Sequence, residues 1–209
     1  EMEIKEVEVM DIDEEAFRKG QVMAKLFGYM KVPFEPQLVQ NLKSGGIEGE
    51  EGALDGIAHK IIEQMEREPD TIYIIGSGTS TRPIMEKLGL PNTLLGIDIV
   101  KNKELVASDV NEREILEIIE GKKAKIIVTV IGGQGYIFGR GNQQVSGEVI
   151  KRVGKGNIQI IATKRKLMSL EGRPLLVDTG DDEVNKMFNG YMMVRTSYFE
   201  EVTHKVIGL

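Results

Sequence analysis

Residues 131–146 read IGGQGYIFGRGNQQVS, and the rest of the chain is organised around them. They follow an apolar run, Lys125–Ile131 (KIIVTVI), with the length and branching of a buried strand. They precede Gly147–Val153, which reads as a helix. Strand, connection and helix in that order are the repeating unit of a parallel α/β sheet. Glycines stand at Gly132, Gly133, Gly135, Gly139 and Gly141. Glycine admits positive φ and lets a ligand approach the main chain. Between them lie one cation, Arg140, and the amides Gln134, Asn142, Gln143 and Gln144. That mixture suits an anion or an uncharged polar ligand, not a hydrophobic core. The plain alternative is a connection, but an ordinary one needs only about 2–6 residues and few glycines.

The same pattern continues on both sides. Thr71–Ile75 (TIYII), Thr93–Val100 (TLLGIDIV), Ile158–Thr163 (IQIIAT), Pro174–Asp178 (PLLVD) and Tyr191–Thr196 (YMMVRT) are short apolar runs. Ala53–Arg67 and Asn111–Glu120 carry apolar residues at helical spacing. Alternation of this kind predicts an α/β fold over residues 53–209: a mainly parallel, Rossmann-like sheet with helices on both faces. Residues 1–40 predict a small β-rich segment. Ile4, Val7 and Val9 alternate with acidic and basic residues over 1–11, and a second strand fits Gln21–Val32, closed by Pro33 and Pro36. Asp13-Glu14-Glu15 reads as an acidic helical turn. Residues 41–56 (NLKSGGIEGEEGALDG) read as a loop or hinge.

Composition removes several functions. The formal net charge of the 209 residues is −6, so the basic footprint of a nucleic-acid binder is lacking. There is no cysteine, hence no disulfide, thiolate metal site or cysteine nucleophile. The two histidines, His59 and His204, lie far apart in sequence and read as surface or packing residues. No 18-residue apolar run predicts a membrane span, and the acidic start is unlike a signal peptide, so the expected location is cytoplasmic. The first residue, Glu1, raises the expectation of a fragment or processed chain.

A second polar loop, Gly76-Ser77-Gly78-Thr79-Ser80-Thr81, falls between a predicted strand and a predicted helix. Free N–H groups and hydroxyls in such a turn make a phosphate or carboxylate cradle. No lysine follows as in a Walker loop, and the bland reading is an N-cap in a tight turn. Asp98 lies inside an apolar run, where a carboxylate needs a partner; it is a candidate for a ribose hydroxyl or a metal. Asp109 is another candidate for a ribose hydroxyl or a metal, although Asp109-Val110-Asn111-Glu112 also reads as a plain helix N-terminus. Asp178 and Asp181 fall in an acidic turn (DTGDD) whose oxygens suit magnesium. Lys164-Arg165-Lys166 follow a strand end within reach of phosphates, but they read first as a solvated helical face.

IGGQGYIFGRGNQQVS, with VIKRVG and IQIIAT behind it, NTLLGIDIV before it and RPLLVDTGD after it, resembles the C-terminal part of the ATP-NAD kinase family, in its acetoin-catabolism kinase-like branch. EVMDIDEEAFRKG and GYMKVP resemble the same family upstream. The resemblance implies phosphoryl transfer from ATP or polyphosphate to the 2′-hydroxyl of NAD, with magnesium. It also implies an N-terminal domain with a GGDGT motif and a catalytic aspartate. Neither occurs here; GGQG carries Gln134 where that aspartate would stand. The expectation is therefore a second domain that binds a nucleotide or phosphorylated small molecule without turning it over alone. Its partner would be a linked N-terminal kinase domain or a second copy of the chain. Two alternatives remain: a non-catalytic sensor of sugar phosphates or nucleotides, and a phosphosugar isomerase with Asp98 or Asp109 as base.

Overall fold

The computed structural model describes residues 3–12, 24–34, 47–93 and 95–209. These fall into two compact units, 1–47 and 48–209. The first is an antiparallel pair, β1 (Glu3–Ile12) and β2 (Ala24–Phe34), with a register shift between Val9 and Met10. Strand β2 runs through Pro33 instead of stopping before it. The acidic turn expected at 13–15 lies outside the described residues.

Among the described residues, the second unit is a mixed α/β domain with six α-helices on one nine-stranded sheet. Its elements are α1 (Ile47–Arg67), β3 (Ile72–Ile75), α2 (Arg82–Leu88), β4 (Asp98–Lys101), β5 (Glu104–Ala107), α3 (Glu112–Ile119), β6 (Ala124–Thr129), β7 (Tyr136–Phe138), α4 (Gly147–Val153), β8 (Ile158–Ile161), α5 (Lys164–Met168), β9 (Leu175–Val177), α6 (Asp182–Met187), β10 (Gly190–Arg195) and β11 (Glu201–Gly208). The strand order is β5-β4-β3-β6-β8-β10-β11-β9-β7. The centre, β3-β6-β8-β10, is parallel, as the apolar runs predict. Strands β4 and β5 add an antiparallel edge, and β11 reverses direction against β10.

Both faces of the centre are covered, and side-chain alternation sorts them. Ile72, Ile74, Ile126, Val128 and Ile160 point to one core, shared with Ile115 and Ile119 of α3 and Val149 and Ile150 of α4. Tyr73, Ile75, Ile127 and Ile161 point to the other, under Ile57, Ala58, Ile61 and Met65 of α1 and Ile84 and Met85 of α2. The sheet also turns back on itself. A flat sheet would put its fourth and ninth strands about 24 Å apart at a spacing of about 4.8 Å. Yet the Ile131 N–H, two residues beyond β6, donates to the Tyr136 carbonyl at the start of β7, 2.9 Å away. Ile137, Phe138, Leu175 and Val177 accordingly share the core of Ile126 and Val128.

Three sequence expectations need correction. Of the stretch 41–56 expected as a loop, residues 47–56 are helix, and 41–46 lie outside the described residues. Glycines 49, 52 and 56 each cost about 1 kcal/mol in a helix, but Ile57, Ile61 and Met65 are each at most 1% exposed, and burial stabilises by about 1.5–3 kcal/mol per such side chain. Gly56 is also a contact, since a Cβ there would meet the Tyr198 backbone N at 3.0 Å. Among the described residues of Thr93–Val100 only the end is strand, and that strand is antiparallel. The central glycine-rich stretch is interrupted by β7, a strand of three residues that finds its partner in β9.

Candidate functional site

The parallel strands β3, β6 and β8 end on one rim, where an open α/β sheet binds ligands. The 76–81 loop leaves β3 and is held tightly. Gly76 donates to the Ile127 carbonyl (2.8 Å), and a Cβ at Gly76 would sit 2.9 Å from that oxygen. Thr81, 2% exposed, donates its hydroxyl to the carbonyls of Gly76 (2.7 Å) and Gly78 (2.8 Å), which pins the loop from inside. The N–H groups of Ser77, Gly78, Thr79 and Ser80 donate to no protein acceptor among the described residues. Successive open N–H groups form an anion-binding concavity.

The central loop reaches the same place. The Ser77 hydroxyl donates to the Gly141 carbonyl, 2.7 Å away, and joins the two glycine stretches across 64 residues. The N–H groups of Gly132 and Gly133 likewise have no protein acceptor among the described residues. A third group enters from α5. The Lys166 ammonium donates to Ser80 Oγ (2.9 Å) and Thr129 Oγ1 (3.3 Å), and a Cβ at Gly132 would lie 3.8 Å from Lys166 Cε. Lys166 is half-buried and has no carboxylate within salt-bridge distance among the described residues, whereas its neighbours Lys164 and Arg165 pair with Glu200 and Glu50. Burial pushes its pKa below the ordinary lysine value, with Glu50 opposing the effect. A cation set among hydroxyls and unpaired N–H groups is complementary to an anion.

The other candidate residues separate by role. Arg140 is exposed and stacks on Tyr136, 4.6 Å from the ring centre. Asn142 is buried and brackets its own loop: it donates to the Ile137 carbonyl (2.8 Å) and accepts from the Gly139 N–H (3.1 Å). Gln134 and Gln143 are exposed and Gln144 half-buried. The Gly135 N–H is taken by the Ile131 carbonyl.

The acidic candidates are largely occupied. Asp98 pairs with Ile75 at the rim and is 2% exposed. Its carboxylate accepts from the Thr93 N–H (2.8 Å) and hydroxyl, the Ser108 hydroxyl (3.0 Å) and the Asp109 N–H (3.0 Å). Four donors fill a carboxylate. Asp109 is exposed with φ 52°, and a Cβ at Gly96 would fall 2.2 Å from its Oδ1. Asp181 caps α6 through the Glu183 and Val184 N–H groups and pairs with Lys151 at 2.6 Å; that lysine holds its carboxyl below the usual range. Asp178 is exposed at the end of β9. Among the described residues no three acidic or histidine side chains converge on a metal position, so these carboxylates do not fit a magnesium ion held by the protein alone. Two cavities, of about 410 and 510 Å³, open beside Asp70 and Lys101 and beside Glu68 and Lys123, away from this rim.

Asp98→Ala would leave four donors facing a cavity. Leaving buried donors without their acceptor costs about 1–3 kcal/mol. The expected result is a fall of that size in denaturant stability, while ligand affinity in the folded fraction stays unchanged; a lost affinity with normal stability would return Asp98 to the binding site.

A model of the ATP-NAD kinase C-terminal domain matches residues 69–206, well over half of the chain. The chain belongs to the ATP-NAD kinase C-terminal domain family. Neither the curated proteins nor the solved structures yield a match. The matched span of this ATP-NAD kinase C-terminal domain holds every residue of the rim just described, from Gly76 to Lys166. It is an NAD-kinase-like nucleotide-binding region, and the family's name carries ATP and NAD as substrates. Among the described residues, no helix is long and apolar enough to cross a membrane.

Proposed function

We propose that the rim holds a phosphate of ATP or NAD, and that the chain serves phosphoryl transfer from ATP to NAD. One observation carries the reading: the Lys166 ammonium, without a carboxylate partner among the described residues, lies against Ser80 and Thr129 beside the N–H groups of residues 77–80 and 132–133, which those residues leave open. Phosphoryl transfer is mostly positioning and charge stabilisation, so such a cradle is a working part and not mere scaffolding. ATP supplies the phosphoryl group; the chain's own residues grip and orient a phosphate. The Gly139–Gln144 segment, with exposed Arg140 and Gln143, flanks the cradle and offers contacts to a ribose or base. The GGDGT element and aspartate that the resemblance implies would come from another domain.

A non-catalytic sensor is the second reading. It is favoured by the filled carboxylate of Asp98 and the capped one of Asp181, which among the described residues are not free to act as a general base in the cradle. A thermal-shift screen with NAD, NADP, ATP, ribose 5-phosphate and glucosamine 6-phosphate, with and without magnesium, separates a sugar-phosphate sensor from the kinase reading, and an assay of turnover separates a nucleotide sensor from it. Ligand at about 100 times its Kd stabilises by roughly 2.7 kcal/mol. Stabilisation by NAD or ATP is expected; a response to sugar phosphates alone would replace the kinase reading with the sensor.

A further inference from the structure

The helix that carries Lys166 is held by a residue more than a hundred positions away. Glu50 stands in the first turn of α1. Its Oε1 accepts from the Thr163 hydroxyl (3.0 Å) and its Oε2 from Arg165 Nη1 (2.8 Å). Thr163 is 3% exposed and caps α5: its oxygen also accepts from the backbone N–H of Lys166, 3.3 Å away. A carboxylate, a buried hydroxyl and the Lys166 backbone thus form one line. The Glu50–Arg165 pair is too exposed to contribute much stability by itself. Its effect lies in where it holds α5, a helix of five residues that has little rigidity of its own.

We propose that Glu50 is the positioning residue of the cradle: through Thr163 it fixes the first turn of α5 and holds the Lys166 ammonium against Ser80 and Thr129. The inference rests on the reading of Lys166 as the phosphate-gripping cation. Glu50 also supplies negative charge that the rest of the cradle lacks. The groups that face Lys166 from the 76–81 loop, the end of β6 and the central loop are Ser80, Thr129 and Gly132, none of which is charged near neutral pH. Arg165 on its own helix is neutralised by Glu50 itself, and Lys164 by Glu200.

The test follows Lys166 directly, in the full chain with ¹³C-labelled lysine. The Cε resonance of Lys166, assigned by its loss in Lys166→Met, is titrated in the wild type, Glu50→Gln and Thr163→Val. Glu50→Gln keeps the size of the side chain and an acceptor for Thr163 but removes the charge. The expected result is a lower titration midpoint in Glu50→Gln, because the charge that favours the ammonium is gone. In Thr163→Val the resonance should be broadened or displaced, with Thr163→Ser restoring it. Inorganic phosphate and NAD are then titrated into each variant, with an expected loss of several-fold for Glu50→Gln. A Lys166 resonance that is the same in all four proteins overturns the proposal. Failure of phosphate and NAD to bind wild type, with the resonance shifts present, counts against the ligand reading alone and leaves the role of Glu50 supported.

Discussion

Lys166→Met is expected to weaken binding of the phosphate-bearing ligand by about 10- to 100-fold, because a hydrogen bond to a charged group contributes about 1.5–3 kcal/mol. The same change should leave the melting temperature unchanged or raise it. In the free protein the ammonium is half-buried against two hydroxyls with no carboxylate in contact, and replacing such a charge with an apolar side chain of similar length is neutral or stabilising. Calorimetric titration and a thermal melt on one preparation read both effects. Equal losses of affinity and stability would mean that Lys166 is a structural residue. The pH dependence has a fixed sign. The folded-state pKa is lowered, so between that value and the ordinary lysine value the unfolded chain binds more protons, and stability rises with pH across that window. Lys166→Met should flatten that rise. A bound anion favours the charged amine, so ligand binding should take up protons and weaken as pH climbs through the free-state midpoint.

Gly139→Ala is expected to cost about 3 kcal/mol or more. Gly139 has φ +93°, and a Cβ there would fall 1.7 Å from the Asp178 carbonyl oxygen. The φ alone costs roughly 1–3 kcal/mol; the collision requires β7 and β9 to separate as well. Gly172→Ala is the control, because Gly172 has φ +80° with open space around it and should show the conformational part only. The difference between the two denaturation midpoints measures the close approach of the strands. Similar losses in both would show that the contact relaxes freely.

Much of this was legible in the residues. TIYII, KIIVTVI and IQIIAT are continuous apolar runs because both faces of the central strands are covered, and they became β3, β6 and β8. The two glycine stretches stood out as places where a ligand could approach the main chain; at Gly76 and Gly139 it is neighbouring backbone that comes close. Other features depend on tertiary partners. Glycine and glutamate over 47–56 speak against a helix until the core beneath α1 is in view. Edge strand β5 and strand β11 carry half-exposed patterns that a search for buried runs passes over. Asp98 reads as a free carboxylate until Thr93, Ser108 and Asp109 are brought to it. Lys164, Arg165 and Lys166 look alike in sequence; only the turn of α5 sends two outward to carboxylates and one inward to the rim.

The rim draws its parts from the ends of three strands separated by up to about ninety residues, joined by the Ser77–Gly141 and Lys166–Ser80 bonds. Such a surface does not exist until the sheet has closed. Pairings this distant in sequence carry their loop-closure cost early and are rewarded late. A ligand that recognises only the finished rim therefore acts after the folding barrier. It slows the escape from the native state and leaves the rate of arrival untouched.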